Sequence, residues 1–358
     1  MMSFYSGWKR VAGRIHPSAP ESRERPVAIN AKKHPQLRSI VVLDTDTNST
    51  NMAHTMITQA CHRAVRSMFP NDFIYHAAAG EYIIAGRTLL EQADYVFLAG
   101  GNELCADIDE SSDWRIRSLD TDWYHNVITL GAGWRTYEEQ TPNEFSQSVF
   151  DSALHKTAIH STRDGYTAKK LRNLGFNAVN TACPTMWQLT REHCAEIPNT
   201  KAEAALLTFT EYDQNREADE LLFRIIRRNY RQIYFWPQQY GDYAYAKDIC
   251  DDRATFIEPS FEALSRLLST TDVDYIGTRL YAGIRALQFQ RRAMIIAIDN
   301  RAIEMHGDFD LPVVLREAMD IELQRRIHGN WTTDIKLDEP AIDVWNSQFT
   351  RDVLAKSA

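Results

Sequence analysis

From residue 38 onward, short β-branched or apolar runs alternate with segments of helical spacing, which restricts the chain to parallel sheet covered by helices. The first series of runs is Ile40–Asp44, Phe73–His76, Tyr95–Ala99, Val127–Leu130, Thr157–His160 and Ala178–Asn180. The second is Ala204–Phe209, Gln232–Trp236, Thr255–Ile257, Asp274–Ile276 and Ala293–Ile298, separated by helical stretches such as Ala218–Asn229 and Phe261–Leu268. Each series suffices for one doubly wound, Rossmann-like sheet. The length agrees, because 358 residues make about two domains at roughly 100–200 residues each.

The expected organisation is therefore a basic leader over 1–38, a first Rossmann-like domain over 39–190 and a linker over 191–201. A second Rossmann-like domain over 202–310 and a C-terminal helix and tail over 311–358 follow. Pro198 and Asn199 mark the linker. Val314, Leu315, Ala318, Met319, Ile321, Leu323 and Ile327 suggest that the last segment opens as one long amphipathic helix.

Forty Lys and Arg against forty-eight Asp and Glu leave a net charge of -8, which argues against general attraction to nucleic acid or to anionic membranes. Any anionic ligand must then be held by a local cluster. The five cysteines form no CxxC pair, so neither a disulfide framework nor a zinc knuckle is expected, and a reducing cytoplasm fits best. No run approaches the 18 or so apolar residues of a membrane span, and the first thirty residues lack the apolar core of a signal peptide. The stretch Arg10–Arg38 is rich in Lys, Arg, Pro and Ser. It reads as a solvated leader in preference to an arm contacting acidic lipid heads at the inner face of a membrane.

Two such domains with a hinge between them make a cleft, and ligands of these sheets sit outside the carboxyl ends of the strands. The first strand runs into Asp44-Thr45-Asp46-Thr47-Asn48-Ser49-Thr50-Asn51, whose short polar side chains can cap the helix that follows or meet a sugar. The third ends in Gly100-Gly101-Asn102 and the fourth in Gly131-Ala132-Gly133-Trp134. Neither is a dinucleotide fingerprint or a Walker loop, but two glycine pairs at successive strand ends suggest a lined crevice. The fifth ends in Ser161-Thr162-Arg163-Asp164 before a helix, a place suited to a phosphate or carboxylate, with a surface Arg163–Asp164 pair as the plainer reading. Cys183 reads as a small buried residue before the rigid Pro184 turn rather than as a nucleophile. In the second domain Gly277-Thr278-Arg279-Leu280-Tyr281 repeats the geometry around Arg163. Asp299-Asn300-Arg301 adds polar groups to the same rim, and Trp236-Pro237-Gln238-Gln239-Tyr240-Gly241-Asp242 mixes aromatic faces with amide and carboxylate groups, as a sugar site does.

The order of these motifs resembles the polysaccharide pyruvyl transferase family over roughly residues 40–310. The motifs are GGN, GxGW, SxRD, NTxCPTMW, WPQxxxD and GTRLxxGIRAL followed by IIAIDNRA. The resemblance implies a glycosyltransferase-B-like pair of domains and transfer of the enolpyruvyl part of phosphoenolpyruvate to a saccharide. A cyclic ketal forms and phosphate leaves. It further implies that phosphoenolpyruvate, the donor substrate, is bound by Arg163 and Arg279 with Leu280 beside the latter, and that no metal or other cofactor is needed. Asn48, Asn102, Gln239 and Asp242 are expected at the acceptor, a saccharide that is free or linked to a lipid or nucleotide. Tyr281 stands where the family has the histidine acid, and Asn51 where it has an acidic base. A tyrosine is a weaker acid than histidine and an asparagine is no base, so Asp44, Asp46 or His54 would have to supply the base. Two other functions are open to the same scaffold: a nucleotide-sugar glycosyltransferase, and a non-catalytic saccharide- or phosphate-binding protein.

Overall fold

The computed structural model describes residues 37–349 except Asn48, 82–86, 118–120 and Asp122. The leader expected over 1–38 therefore lies outside the described residues but for Leu37 and Arg38. Among the described residues no helix is long and apolar enough to cross a membrane.

The described chain builds an α/β protein of two doubly wound parallel sheets. In the first lobe, β1 (Ser39–Asp44), β2 (Phe73–Ala78), β3 (Tyr95–Ala99) and β4 (Val127–Leu130) lie in the order β2-β1-β3-β4. β5 (His160–Thr162) and β6 (Ala178–Asn180) pair beside them. A 3.1 Å bond from Gly131 N to Ser161 O and a bridge between Ala132 and Thr162 join this pair to the end of β4.

The second lobe holds six strands, β7 (Ala204–Thr208), β8 (Gln232–Phe235), β9 (Thr255–Phe256), β10 (Val273–Gly277), β11 (Ala293–Ala297) and β12 (Val313–Leu315). Their order is β12-β11-β10-β7-β8-β9, and every pairing in both sheets is parallel. Central strands such as Ile40–Leu43 and Ala293–Ile295 are buried. Helices cover both faces, so the strands read as continuous apolar runs rather than alternating ones.

Short polar residues start the helices where strand ends turn into the cleft. The side chains of Asn51, Asp164, Ser260 and Asp299 each accept a backbone N–H of the following helix, closing a donor that the helix cannot satisfy itself.

The structure departs from the expected elements in three places. The segment after residue 311 is not one long helix. Val313–Leu315 pairs with β11, and the helix starts only at Met319. The linker stretch holds a short helix, Arg191–Ala195, capped by Thr190. The strand expected at Thr157–His160 is displaced to His160–Thr162. Beyond these, the last described helix, Glu339–Ser347, returns to the first lobe, where Trp345 and Phe349 pack on Phe97. Gln348 bridges Ile159 through both its N–H and its C=O.

Candidate functional site

A cavity of about 590 Å³ opens between the carboxyl ends of the two sheets. Its first-lobe wall is the stretch after β1, with Thr45, Thr47, Ser49, Thr50, Asn51 and His54, together with Asn102, Arg115 and Arg135. The second lobe supplies Tyr212, Gln239, Asp299, Asn300 and Arg301.

His54 lies in the first turn of the helix Met52–Met68, and its Nδ1 is 3.0 Å from the carbonyl oxygen of Thr45. A carbonyl only accepts, so Nδ1 carries the hydrogen and Nε2 keeps its lone pair. Burial lowers the pKa of His54 below its ordinary value, against an upward pull from Asp113. His54 is thus a neutral imidazole of fixed tautomer in the cavity wall, with the properties of a general base.

Asn51 caps the same helix. Its Oδ1 accepts Ala53 N at 3.0 Å and Gln238 Nε2 from the second lobe at 2.8 Å, so it ties the lobes together. Across the cavity, Arg301 is paired with Asp299 and donates from Nη2 to the Tyr212 hydroxyl at 2.6 Å. Burial alone would raise the Asp299 carboxyl, but Arg301 outweighs it and holds that carboxyl below its usual range.

The two arginines expected to grip an anion are both turned into the protein. Arg163, 1% exposed, donates to Asp164 Oδ2 at 3.1 Å, Gly101 O at 3.0 Å, Asn102 Oδ1 at 2.9 Å and Trp134 O at 3.3 Å. The Arg163–Asp164 pair exists, but in the interior rather than on the surface. Room for this guanidinium comes from Gly133, where a Cβ would sit 2.1 Å from Arg163 Cζ. The strand-end glycines here admit protein groups in place of a ligand. The N-terminus of the helix Gly165–Asn173 is likewise taken. Asp164 accepts Thr167 N and Asp308 from the second lobe accepts Gly165 N, both at 2.7 Å.

Arg279, 2% exposed, is held by Asp242, with Nε at 3.0 Å and Nη2 closer still. Asp242 has no exposed surface and also accepts the backbone N–H groups of Glu211, Gln238 and Gln239. Expected at the acceptor, it instead faces inward as the anchor of Arg279, because all its lone pairs are engaged there.

Around the helix Leu280–Gln288 the polar groups are less complete. Its N-cap is Arg279, no side chain caps it, and no acidic residue lies in its first turn. Arg279 Nη1 is buried with no hydrogen-bond partner among the described residues, and the buried hydroxyl of Tyr281 has the Cys183 thiol as its neighbour. Tyr281 is 3% exposed, and burial with Cys183 alongside pushes its phenol well above the ordinary range. Cys183 is itself fully buried, its thiol raised by burial. The Tyr212 ring lies 5.0 Å from Arg279 Cζ and borders the cavity, so it screens Arg279 from the open space.

The structure therefore brings Asn51, Asn102 and Gln239 to the cavity and leaves Arg163, Arg279, Leu280, Tyr281 and Asp242 behind its wall. Asn48 lies outside the described residues. Gln239 presents an Oε1 with no hydrogen-bond partner among the described residues. Sequence reasoning missed Arg115, Arg135 and Tyr212. Arg135 directly follows the GxGW strand end and was within reach of that motif, whereas Arg115 stands in an irregular stretch and Tyr212 in the short 3-10 turn Glu211–Asp213, neither of which carries a signal.

No curated protein sequence matches the chain. Among solved structures, S. aureus MnaA with UDP aligns over 88% of this chain and 96% of that one, with 13% identity and a TM-score of 0.49. A UDP-N-acetylglucosamine 2-epimerase aligns over 90% and 96%, with 12% identity and a TM-score of 0.46. The E. coli heptosyltransferase WaaC, solved with ADP-2-deoxy-2-fluoro heptose, aligns over 79% and 98%, with 11% identity and a TM-score of 0.38. The profile of the family "Polysaccharide pyruvyl transferase" matches residues 22–300. That span takes in both sheets up to the Asp299-Asn300 rim of the cavity, and the chain belongs to the polysaccharide pyruvyl transferase family.

Proposed function

We propose that the chain transfers the enolpyruvyl group of phosphoenolpyruvate to hydroxyls of a saccharide, forming a pyruvate ketal and releasing phosphate. The observation that carries this reading is the incomplete hydrogen bonding at the start of the helix Leu280–Gln288. An uncapped helix N-terminus and an unpartnered Arg279 Nη1 lie in the interior, with the Tyr281 hydroxyl facing only the Cys183 thiol. Buried donors without acceptors are costly, about 1–3 kcal/mol each, and an anion at a helix N-terminus supplies what they lack.

Phosphoenolpyruvate reaches this place when Tyr212 swings off Arg279, a movement that also releases Arg301 Nη2 from the tyrosine hydroxyl. Arg279 and Arg301 then face the phosphate and carboxylate, while Arg163 acts as a positioning residue for the loops after β3 and β4. Protonation of the donor's methylene carbon leaves an oxocarbenium-like centre at C2. A saccharide hydroxyl attacks C2 and passes its proton to His54 Nε2. Phosphate departs with the C2–O bond electrons, and a second hydroxyl closes the ketal as its proton passes to the departing phosphate. Tyr281 would serve at the acid position, where burial makes an already weaker acid than histidine weaker still. Asn51, Asn102 and Gln239 place the acceptor.

Phosphorus NMR on protein mixed with phosphoenolpyruvate and a panel of acceptor glycans tests the reading. Inorganic phosphate should appear with wild type and not with Arg279→Ala. Thermal stabilisation by a nucleoside diphosphate, with none by phosphoenolpyruvate, would overturn it in favour of nucleotide-sugar chemistry.

A further inference from the structure

On the flank of the first lobe, away from the cavity lining, three side chains converge. Asp44 ends β1, His76 stands in β2, and His62 lies on the helix Met52–Met68. Asp44 Oδ2 is 3.7 Å from His62 Nε2 and 3.9 Å from His76 Nδ1, and the three ligand atoms lie within 4.8 Å of one another. The two imidazole rings are tilted face to face at 3.8 Å. His62 Nε2 is buried and has no hydrogen-bond partner among the described residues. The Asp44 carboxylate is 6% exposed, and the histidine side chains 32% and 42%. The cluster thus has a buried carboxylate at its base and an open side toward solvent.

We propose that Asp44, His62 and His76 form a binding site for a Zn²⁺ ion, with water as the fourth ligand. Two nitrogens and one carboxylate oxygen suit zinc rather than Mg²⁺ or Ca²⁺, which prefer oxygen ligands throughout. Geometry also separates zinc from a six-coordinate metal. Bonds of about 2.0–2.1 Å put tetrahedral ligands roughly 3.4 Å apart and adjacent octahedral ligands roughly 2.9 Å apart. The observed 3.7 and 3.9 Å are a few tenths of an ångström from the first and about twice as far from the second. Arg63 and Arg66 border the same groove. Their charges oppose a dication, and micromolar rather than tighter affinity is expected.

The site is joined to the cavity through the backbone. Asp44 Oδ1 accepts the Thr47 hydroxyl at 3.4 Å, and the next residue, Thr45, supplies the carbonyl that fixes the His54 ring. Zinc on Asp44 would pin the beginning of the stretch that walls the cavity.

Full-length, untagged protein, freed of metal by chelator dialysis, is titrated with ZnCl₂ by calorimetry and with Co²⁺ as a visible probe. One Zn²⁺ per chain and a tetrahedral Co²⁺ spectrum are expected. His62→Ala and His76→Ala should each weaken binding by more than about 100-fold, while His54→Gln retains the ion. Circular dichroism melting of the metal-free variants verifies that they fold. Absence of saturable 1:1 binding, a six-coordinate Co²⁺ spectrum, or binding that survives loss of either histidine would overturn the proposal. The wild-type titration decides alone if a variant fails to fold.

Discussion

Replacing Asp242 by alanine separates two roles that the same residue could have, acceptor contact and interior anchor. The substitution leaves the Arg279 guanidinium, 2% exposed, without its counter-charge. It also strips the acceptor from the backbone N–H groups of Glu211, Gln238 and Gln239. Breaking a buried ion pair by removing one partner costs about 3–5 kcal/mol. The orphaned N–H groups add to this, less whatever water enters the space left behind. An unfolding entropy of about 2.1 cal/mol/K per residue gives roughly 1–2 °C of melting temperature per kcal/mol for a chain of 358 residues, so Asp242→Ala should melt about 4–8 °C below wild type. Asp242→Asn, which keeps one accepting oxygen, should fall between them. Because the pair is buried, added salt should barely change the difference. Differential scanning calorimetry gives the temperatures, and steady-state kinetics gives KM for donor and acceptor. An unchanged melting temperature with a raised KM for the saccharide would refute the anchor role and restore Asp242 to the acceptor.

His54→Gln keeps a hydrogen bond to the Thr45 carbonyl within reach but removes the proposed base, so kcat should fall by about 10²–10⁴. Wild-type activity should drop as pH falls through the depressed pKa of His54, below the ordinary 6.5, and the variant's pH profile should lack that acidic limb. Glu103 is fully buried, and neither carboxylate oxygen has a hydrogen-bond partner among the described residues. Burial, reinforced by Asp113, holds its carboxyl well above the ordinary 4.5. The folded chain keeps a proton that the unfolded chain gives up, so this group's contribution makes stability fall as pH rises from 4.5 toward the folded value. Denaturant melts of Glu103→Gln between those limits should show a shallower decline than wild type, and an identical slope would contradict a protonated Glu103.

The sheets were legible because β-branched or apolar runs of three to six residues, bounded by polar turns, leave little else for such segments to form. β12 was hidden because Leu311, Val313, Val314 and Met319 fall at spacings that a helix also satisfies; the choice depends on the free edge of β11, which is a tertiary fact. At the cleft, residue position and side-chain direction came apart. A strand end places Arg163 near the opening, but whether its guanidinium turns outward depends on the space left by Gly133, thirty residues earlier in the chain. The polar stretch after β1 was readable as ligand-facing or as helix cap, and Asn51 caps the helix while lining the cavity. His62, His76 and Asp44 have no motif spacing, since only the pairing of β1 with β2 and the packing of the helix between them bring them together.

The return of the helix Glu339–Ser347 to the first lobe has a consequence for how the protein is made. Trp345 and Phe349 close an aromatic face built from Phe69, Tyr95 and Phe97. On the ribosome that face is finished early, yet its cover is about 250 residues further on, roughly 12–50 s at 5–20 residues per second. Throughout that interval the nascent first lobe carries a bare apolar surface, the kind that chaperones hold. A fragment cut near residue 190 would keep that surface for good. Conversely, Arg38 Nη1 lies 3.4 Å from the carbonyl oxygen of Phe349. Chain joined across these two residues and opened in a surface loop would let the cover emerge before the face it protects.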